Sequence, residues 1–475
     1  MVADPRSASL SAAEQPGAAV QGAPDAAATS PLALRLCTLV ADVFQIGDRE
    51  VTVADGMQTI EQWDSINHLN LVLALENEFG TSFVPEETDR LVSVASILEV
   101  LEARIGIVRP AGDVPASPLA VRALEPGDMP AVVSLLCQRD AVGHEPQALA
   151  RYLCGLDPRQ VIGWMALFDG CPIGLTVLCL RDVHWGDEVR RAGYWSHLYV
   201  VKEHRKALAY EGLVHAMMNE SRAAGVEVVY TGTRRPAVAD SHTRIGFTEL
   251  GKIGVRIKPL RPFRLLGRHR GWGALDAVSP PLDILYRFGE ALLRGPSASR
   301  WRIQATTTDS PHVDAFLRLL EAQSGSRIRQ TWTTAAWRRR FSATLEGWPY
   351  TLLVALDGNE LAGGLLLRSA VRTTADGVTT LRFGVVMDIV DRARDGAVTR
   401  HLLAEAEDRS FRDGCHGMLW LDGVAELAGR MAGAGYRETP ETYTMLVWPP
   451  ASAPAGSRIR DLENWRFPFS EHDAF

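Results

Sequence analysis

Lysine is almost missing from this chain of 475 residues. Lys202, Lys206, Lys252 and Lys258 are the only four, and the other 46 of the 50 basic residues are arginine, a ratio that reflects a high-GC bacterial genome more than a function. Cysteine is also sparse. Cys37, Cys137, Cys154, Cys171, Cys179 and Cys415 form no C-x-x-C pair and no metal-ligand spacing with histidine, which argues against a disulfide framework or a zinc module and predicts free thiols in a reducing cytoplasm. There is no run of about 18 apolar residues and no apolar region in the opening MVADPRSASLSAAEQPG, so neither a membrane span nor a secretory leader is expected. A net charge of -7 is too small to predict nucleic acid as a partner. With 46% hydrophobic and 23% charged residues, the composition is that of a soluble globular protein.

At about 150 residues per domain, the length predicts about three domains. The charge is divided unevenly among them: residues 31–105 hold 13 Asp and Glu against 4 Arg, a balance of -9. With -2 in residues 1–30, the net charge of -7 leaves +4 for residues 106–475. Residues 1–30, rich in Ala, Pro, Gly and Ser without apolar periodicity, read as a disordered tail, and GIVRPAGDVPASP, 106–118, reads as a linker. Between them the apolar residues recur at helical spacing, as in Leu32, Leu36, Leu39 and Val43, then Ile66, Leu69, Val72 and Leu73, then Val94, Ile97, Leu98 and Leu101. This predicts a small all-α bundle. Asp64 and Ser93 are expected to cap the second and third helices, and Gly80 to close the second.

The remainder contains the same series twice. An offset of 189 residues pairs Arg205 with Arg394, Gly225 with Gly414, Gly246 with Gly435, Phe247 with Tyr436 and Glu249 with Glu438. Each copy reads as a strand, two helices, a hairpin (161–182; 350–373), a long strand (190–201; 378–390), a helix (207–224; 396–413), a strand, a short helix and a last strand. The copies span 119–260 and 300–450. A basic connection, 261–299, lies between them, and a C-terminal tail, 451–475, follows.

The segment QWDSINHLNLVLALENEFG, residues 62–80, resembles the attachment site of acyl and peptidyl carrier proteins, and the resemblance extends over residues 31–105. It implies that Ser65, next to Asp64, receives 4'-phosphopantetheine from a phosphopantetheinyl transferase. A phosphate there would sit at the positive end of a helix. The resemblance also implies an acidic face, here Glu76, Glu78, Glu86 and Glu87, for basic partners. The arginines of the connection, Arg261, Arg264, Arg268 and Arg270, are the expected contact.

The order of elements in each repeat resembles the GNAT N-acyltransferases. It implies two α/β (α+β) domains, each with a mixed, mostly antiparallel central sheet, and a loop before the main helix that cradles the pyrophosphate of an acyl-CoA. Arg205 matches the first position of that loop, whereas Leu208 and Tyr210 stand where the family has glycines and obstruct close approach. Copy two, Arg394-Asp395-Gly396-Ala397, has smaller residues, but Asp395 repels phosphate. His242 stands where the family has a tyrosine that protonates the departing thiolate, a role that imidazole can serve. The same place in copy two is Met431, so copy one is the expected catalytic one and copy two a degenerate partner. Tyr194, Ser196 and His197 on the long strand are the polar candidates for the base, with His197 placed by alternation on the opposite face from the other two. Both histidines also admit a reading as ordinary packed or solvated side chains.

Three functions follow as expectations. In the first, an acyl group passes between the Ser65-bound thioester and a small-molecule amine in natural-product-type biosynthesis, after a separate acyl-activating or loading enzyme has charged the carrier. In the second, copy one loads an acyl group from acyl-CoA onto Ser65. In the third, both repeats are a non-catalytic scaffold that presents the carrier. No membrane partner and no metal are expected.

Overall fold

The computed structural model describes residues 31–47, 49–79, 83, 85–88, 90–105, 119–139, 146–185, 188–204, 209–294, 300–342, 349–373, 380–448 and 458–472. The first helices are α1 (Pro31–Phe44), α2 (Ser65–Phe79), α3 (Pro85–Thr88) and α4 (Val94–Ile105), and their apolar faces meet around Leu36, Val40, Leu75, Ile97 and Leu101. Both predicted N-caps form: Asn67 N donates to Asp64 Oδ1 at 2.8 Å and Ser96 N to Ser93 Oγ at 3.1 Å. Gly80 lies outside the described residues. His68 is fully buried; Trp63 Nε1 donates to its Nδ1 at 3.0 Å, and its Nε2 lies 3.2 Å from the Thr88 carbonyl. These two partners fit only the neutral ring with the proton on Nε2, and burial pushes its pKa down to about 4.

The first repeat runs β1 (Leu119–Ala123), α5 (Met129–Arg139), α6 (Pro146–Tyr152), β2 (Val161–Phe168), β3 (Cys171–Trp185), β4 (Glu188–Val200), α7 (Ala209–Ala223), β5 (Val228–Thr233), α8 (Pro236–Arg244) and β6 (Thr248–Pro259). A helical hairpin follows, α9 (Pro262–Arg270) and α10 (Gly273–Arg294). The second repeat runs β7 (Arg302–Thr306), α11 (Val313–Ser324), β8 (Arg329–Gln330), α12 (Thr334–Ser342), β9 (Thr351–Asp357), β10 (Glu360–Thr373), β11 (Thr380–Asp391), α13 (Ala397–Arg412), β12 (Gly417–Leu421), α14 (Ala425–Gly433) and β13 (Arg437–Trp448). The repeated glycines adopt matching left-handed turns, φ 77° at Gly225 against 82° at Gly414 and 96° at Gly246 against 94° at Gly435.

The repeat predicts two separate central sheets, but the strands form a single one. Its order is β1-β2-β3-β4-β5-β13-β6-β12-β11-β10-β9-β7, with β8 beside β3. Each copy gives its last strand to the other: β13 lies between β5 and β6 of copy one, and β6 lies between β13 and β12 of copy two. Among the described strands only β4 with β5 and β11 with β12 run parallel; the other pairs are antiparallel. The residues assigned to a C-terminal tail also depart from expectation. Trp465, Phe467 and Phe469 are buried in the core, because the segment 458–472 threads between the two copies, with Phe467 N donating to the Gly423 carbonyl of copy two at 2.8 Å and Arg181 Nη1 of copy one donating to the Glu471 carbonyl at 2.7 Å. Among the described residues no helix is long and apolar enough to cross a membrane, and no cluster of ligating side chains could hold a metal ion.

Candidate functional site

Strands β4 and β5 pair only from Ala192 to Tyr194 against Val228 to Tyr230, and beyond that point they separate. A bulge in β4 explains the opening. Between the pairs Leu175–Tyr199 and Val177–Ser196 the register slips, and His197 adopts a φ of 54°, which turns the strand away from β5. Thr231 Oγ1 then donates to the Trp195 carbonyl across the opening at 2.9 Å.

The two faces of the opening differ. On the side covered by α7 and α8, Trp195 is buried with Val229, and the His242 ring stacks on it at a centroid distance of 4.2 Å. Burial pushes the pKa of His242 down to about 4, against a smaller opposing effect of the Val238 carbonyl, so its imidazole is neutral at pH 7. On the other side Tyr194 is buried beneath the Arg181 guanidinium, 4.1 Å from its ring, and the C-terminal segment closes over it with His472. Glu471 is fully buried there, and its carboxyl is pushed up to about 7. Ser196 Oγ lies 3.7 Å from Cys179 Sγ, and Cys179 Sγ lies 3.9 Å from the Tyr152 hydroxyl.

Alternation assigned His197 to the face opposite Ser196, and the structure corrects this. His197 Nδ1 lies 3.2 Å from Arg139 Nη1, and its ring meets the edge of Tyr152, the same residue that neighbours Cys179 and Ser196. The extra residue of the bulge breaks the two-residue period. Tyr194, Ser196 and His197 therefore share one face, and His242 approaches from the other. Arg205 and Leu208 lie outside the described residues; the Tyr210 side chain is partly buried in α7, where burial raises its hydroxyl pKa.

In copy two the corresponding opening is filled. Strands β11 and β12 pair only from Phe383 to Val385 against Gly417 to Leu419. The buried Arg466 of the C-terminal segment is bound to Asp388 of β11, and Ser470 Oγ donates to the same carboxylate at 2.9 Å. The loop before α13 is occupied by its own acid: Asp391 accepts from Gly396 N at 3.0 Å, Ala393 N at 3.2 Å and the Thr399 hydroxyl at 3.1 Å. A carboxylate thus takes the donors that a pyrophosphate needs, and the loop does not fit coenzyme A. Met431 is fully buried, with no ionisable group at that place. Sequence reading missed Asp388 and Asp391, although two acids in the otherwise apolar VVMDIVD are unusual. It also missed the alternating Trp465, Phe467 and Phe469.

The bundle rests on copy one. Helix α2 packs against α7 and α8, and α3 against α7 and β1. Leu69 of α2 is fully buried in the same core as Leu213, Val214 and Met217. Glu76 Oε1 lies 3.2 Å from Nε2 of the buried His215 on α7. Among the described residues the expected contact with the connecting arginines is not made: Arg264 and Arg268 are held by Asp276, and Arg261 stacks on Phe411 at 4.0 Å. Ser65 is the first residue of α2, so its backbone stands at the end where helical amides lack partners; Asp64 already accepts the one from Asn67. A cavity of about 810 Å³ lies elsewhere, between β6, β13 and the C-terminal turns, lined by Lys252, Asp422, Glu438 and Arg460. None of the site residues expected from the sequence lines it.

No protein-family model matches the chain, and no curated protein matches it. Among solved structures it is similar to Saccharomyces cerevisiae N-myristoyltransferase with bound myristoyl-CoA, at 10% identity over 72% of this chain and 84% of that one, TM-score 0.49. A conserved Enterococcus faecalis V583 protein described as a probable N-acyltransferase aligns at 8% identity over 70% and 73%, TM-score 0.48. A GCN5-related N-acetyltransferase from Anabaena variabilis aligns at 12% identity over 69% and 72%, TM-score 0.47.

Proposed function

We propose that the chain is an acyltransferase with a built-in carrier, moving an acyl group between a thioester on Ser65 and a small-molecule amine in natural-product-type biosynthesis, with copy one as the reactive half. The observation that carries this reading is the seat of α2 on α7 and α8, the two helices that cover the face from which His242 reaches the β4–β5 opening. A carrier docked there directs its arm at the opening without a pyrophosphate site. The filled opening and self-capped loop of copy two support the assignment of its role as structural.

Ser65 would hold 4'-phosphopantetheine, which when bound supplies the thioester. The chain's own residues do the rest. Trp195 holds the His242 ring by stacking, and Phe247 packs against it at a tilt. A neutral imidazole can release a proton from one nitrogen and regain one at the other, so His242 is suited to protonate the leaving thiolate, while Tyr194, Ser196 and His197 are the candidates to take the proton lost by the amine. The opposite face, with Tyr194, Ser196 and His197, is the side on which the amine is expected.

The test begins with phosphopantetheinyl transferase treatment and intact mass, where Ser65→Ala must abolish the mass increase. The acyl-loaded protein is then incubated with candidate amines. His242→Ala should slow transfer by about 100-fold or more, whereas Met431→Ala should leave it within a few fold. Transfer that is indifferent to His242→Ala would overturn the assignment to copy one.

A further inference from the structure

Helix α10 is amphipathic in the reverse sense. Its polar side chains face the protein. Ser279 and Asp283 are fully buried, with Phe263 N donating to Asp283 Oδ1 at 3.0 Å, and the buried Arg287 is bound to Glu290, Glu407 and Asp408. Its apolar side chains face outward, and every exposed residue described in α10 is Gly, Ala, Pro or a large aliphatic or aromatic residue.

Val278, Leu282, Leu285, Gly289 and Leu292 follow one another at alternating spacings of four and three, the seam of a two-helix coiled coil. Ile284 and Phe288 flank the seam, and Phe263, Leu266 and Trp272 extend it onto α9 and the turn; the nine large side chains are between 36% and 66% exposed. Together they present roughly 900 Å² of surface, more than the largest patch on a typical monomer and close to one partner's share of a standard interface.

We infer that the α9–α10 hairpin is an interface with a second copy of this chain, the two α10 seams packing against each other about a twofold axis. A residue on such an axis meets its own copy, so a charge there would face its like, and a seam without charge suits an isologous contact. A bilayer surface is the poorer match, because it rewards basic groups at headgroup level. Here Arg264 and Arg268 are engaged by Asp276 and Arg287 is turned inward, so that among the arginine side chains described in the hairpin Arg270 is the exposed one. Gly289 in the seam permits close approach of the helix backbones. Leu285, at the centre, meets its own copy whether the helices run parallel or antiparallel.

The test is the mass of the full chain in solution by light scattering at micromolar concentration. The wild type should give twice 52.0 kDa and Leu285→Glu 52.0 kDa, with unchanged circular dichroism. Should Leu285→Glu fail to fold, Leu285→Cys should form a disulfide-linked dimer on oxidation, beyond any crosslinking of the wild type. A wild type at 52.0 kDa overturns the inference, as does a dimer that Leu285→Glu leaves intact or that Leu285→Cys fails to crosslink. Monomeric wild type that sediments with phosphatidylglycerol vesicles, and loses this in Leu285→Glu, would also overturn it by putting a bilayer where the second copy is placed.

Discussion

Leu69→Ala separates docking of the bundle from folding of the bundle. Leu69 is fully buried, yet its neighbours are Leu213, Val214 and Met217 of copy one, whereas the interior of the bundle is built on Leu36, Leu75, Ile97 and Leu101. Truncation removes three carbons at about 0.8 kcal/mol each and leaves a cavity, for a total of about 3 kcal/mol. At 1.4 kcal/mol per factor of ten, this shifts the docking equilibrium about 100-fold. Amide hydrogen exchange read by mass spectrometry is the assay. Peptides from α7 and the α7-facing side of α2 should exchange up to about 100-fold faster in Leu69→Ala, while α1 and α4 keep their wild-type protection. Equal loss in α1 and α4 would place Leu69 in the bundle's own core, and unchanged α7 would show that the contact contributes nothing. Either result refutes the reasoning.

Two further outcomes are expected. His68 has its folded pKa depressed to about 4 from the ordinary 6.5, so the stabilisation it contributes is fully present above pH 6.5 and is lost as pH falls toward 4, on the order of 3 kcal/mol in all. Urea titrations at pH 7 and pH 4.5 should show this loss reduced in His68→Gln, whose amide can keep both hydrogen bonds without titrating; an equal loss in both proteins would refute the assignment. Asp388→Asn leaves the buried Arg466 guanidinium without its counter-charge and should cost about 3 kcal/mol or more, with faster exchange over 458–472; a change below about 1 kcal/mol would refute the role given to that ion pair.

The elements were legible where periodicity and glycine turns are local properties. The hairpin expected over 161–182 is β2–β3, the helix expected over 207–224 is α7 from Ala209 to Ala223, and the paired glycines adopt the same positive φ in both copies. Asp64 and Ser93 were legible as caps because a cap is made within four residues of chain. His197 was placed on the wrong face because a bulge inserts one residue into a period of two, and nothing local in AGYWSHLYV marks it. The connection 261–299 was read by its arginines, although the outward seam of α10 was present in its leucine spacing.

The sequence by itself determined the acidic helical module, the repeat with its offset of 189 and the two places, His242 and Met431, where the copies differ chemically. Only the tertiary structure decided that the copies exchange their last strands, that the C-terminal segment fills one opening through Arg466 and covers the other with His472, and that the bundle sits on α7 and α8 and not on the connecting arginines. Strand partners and docking surfaces are chosen by contacts between residues far apart in the chain, such as Asp388 with Arg466, 78 positions away, near one end and Glu76 with His215, 139 positions away, near the other. Each of those side chains has an unremarkable local sequence. What selects the partner is the burial and charge pairing that exist only once the chain has closed on itself.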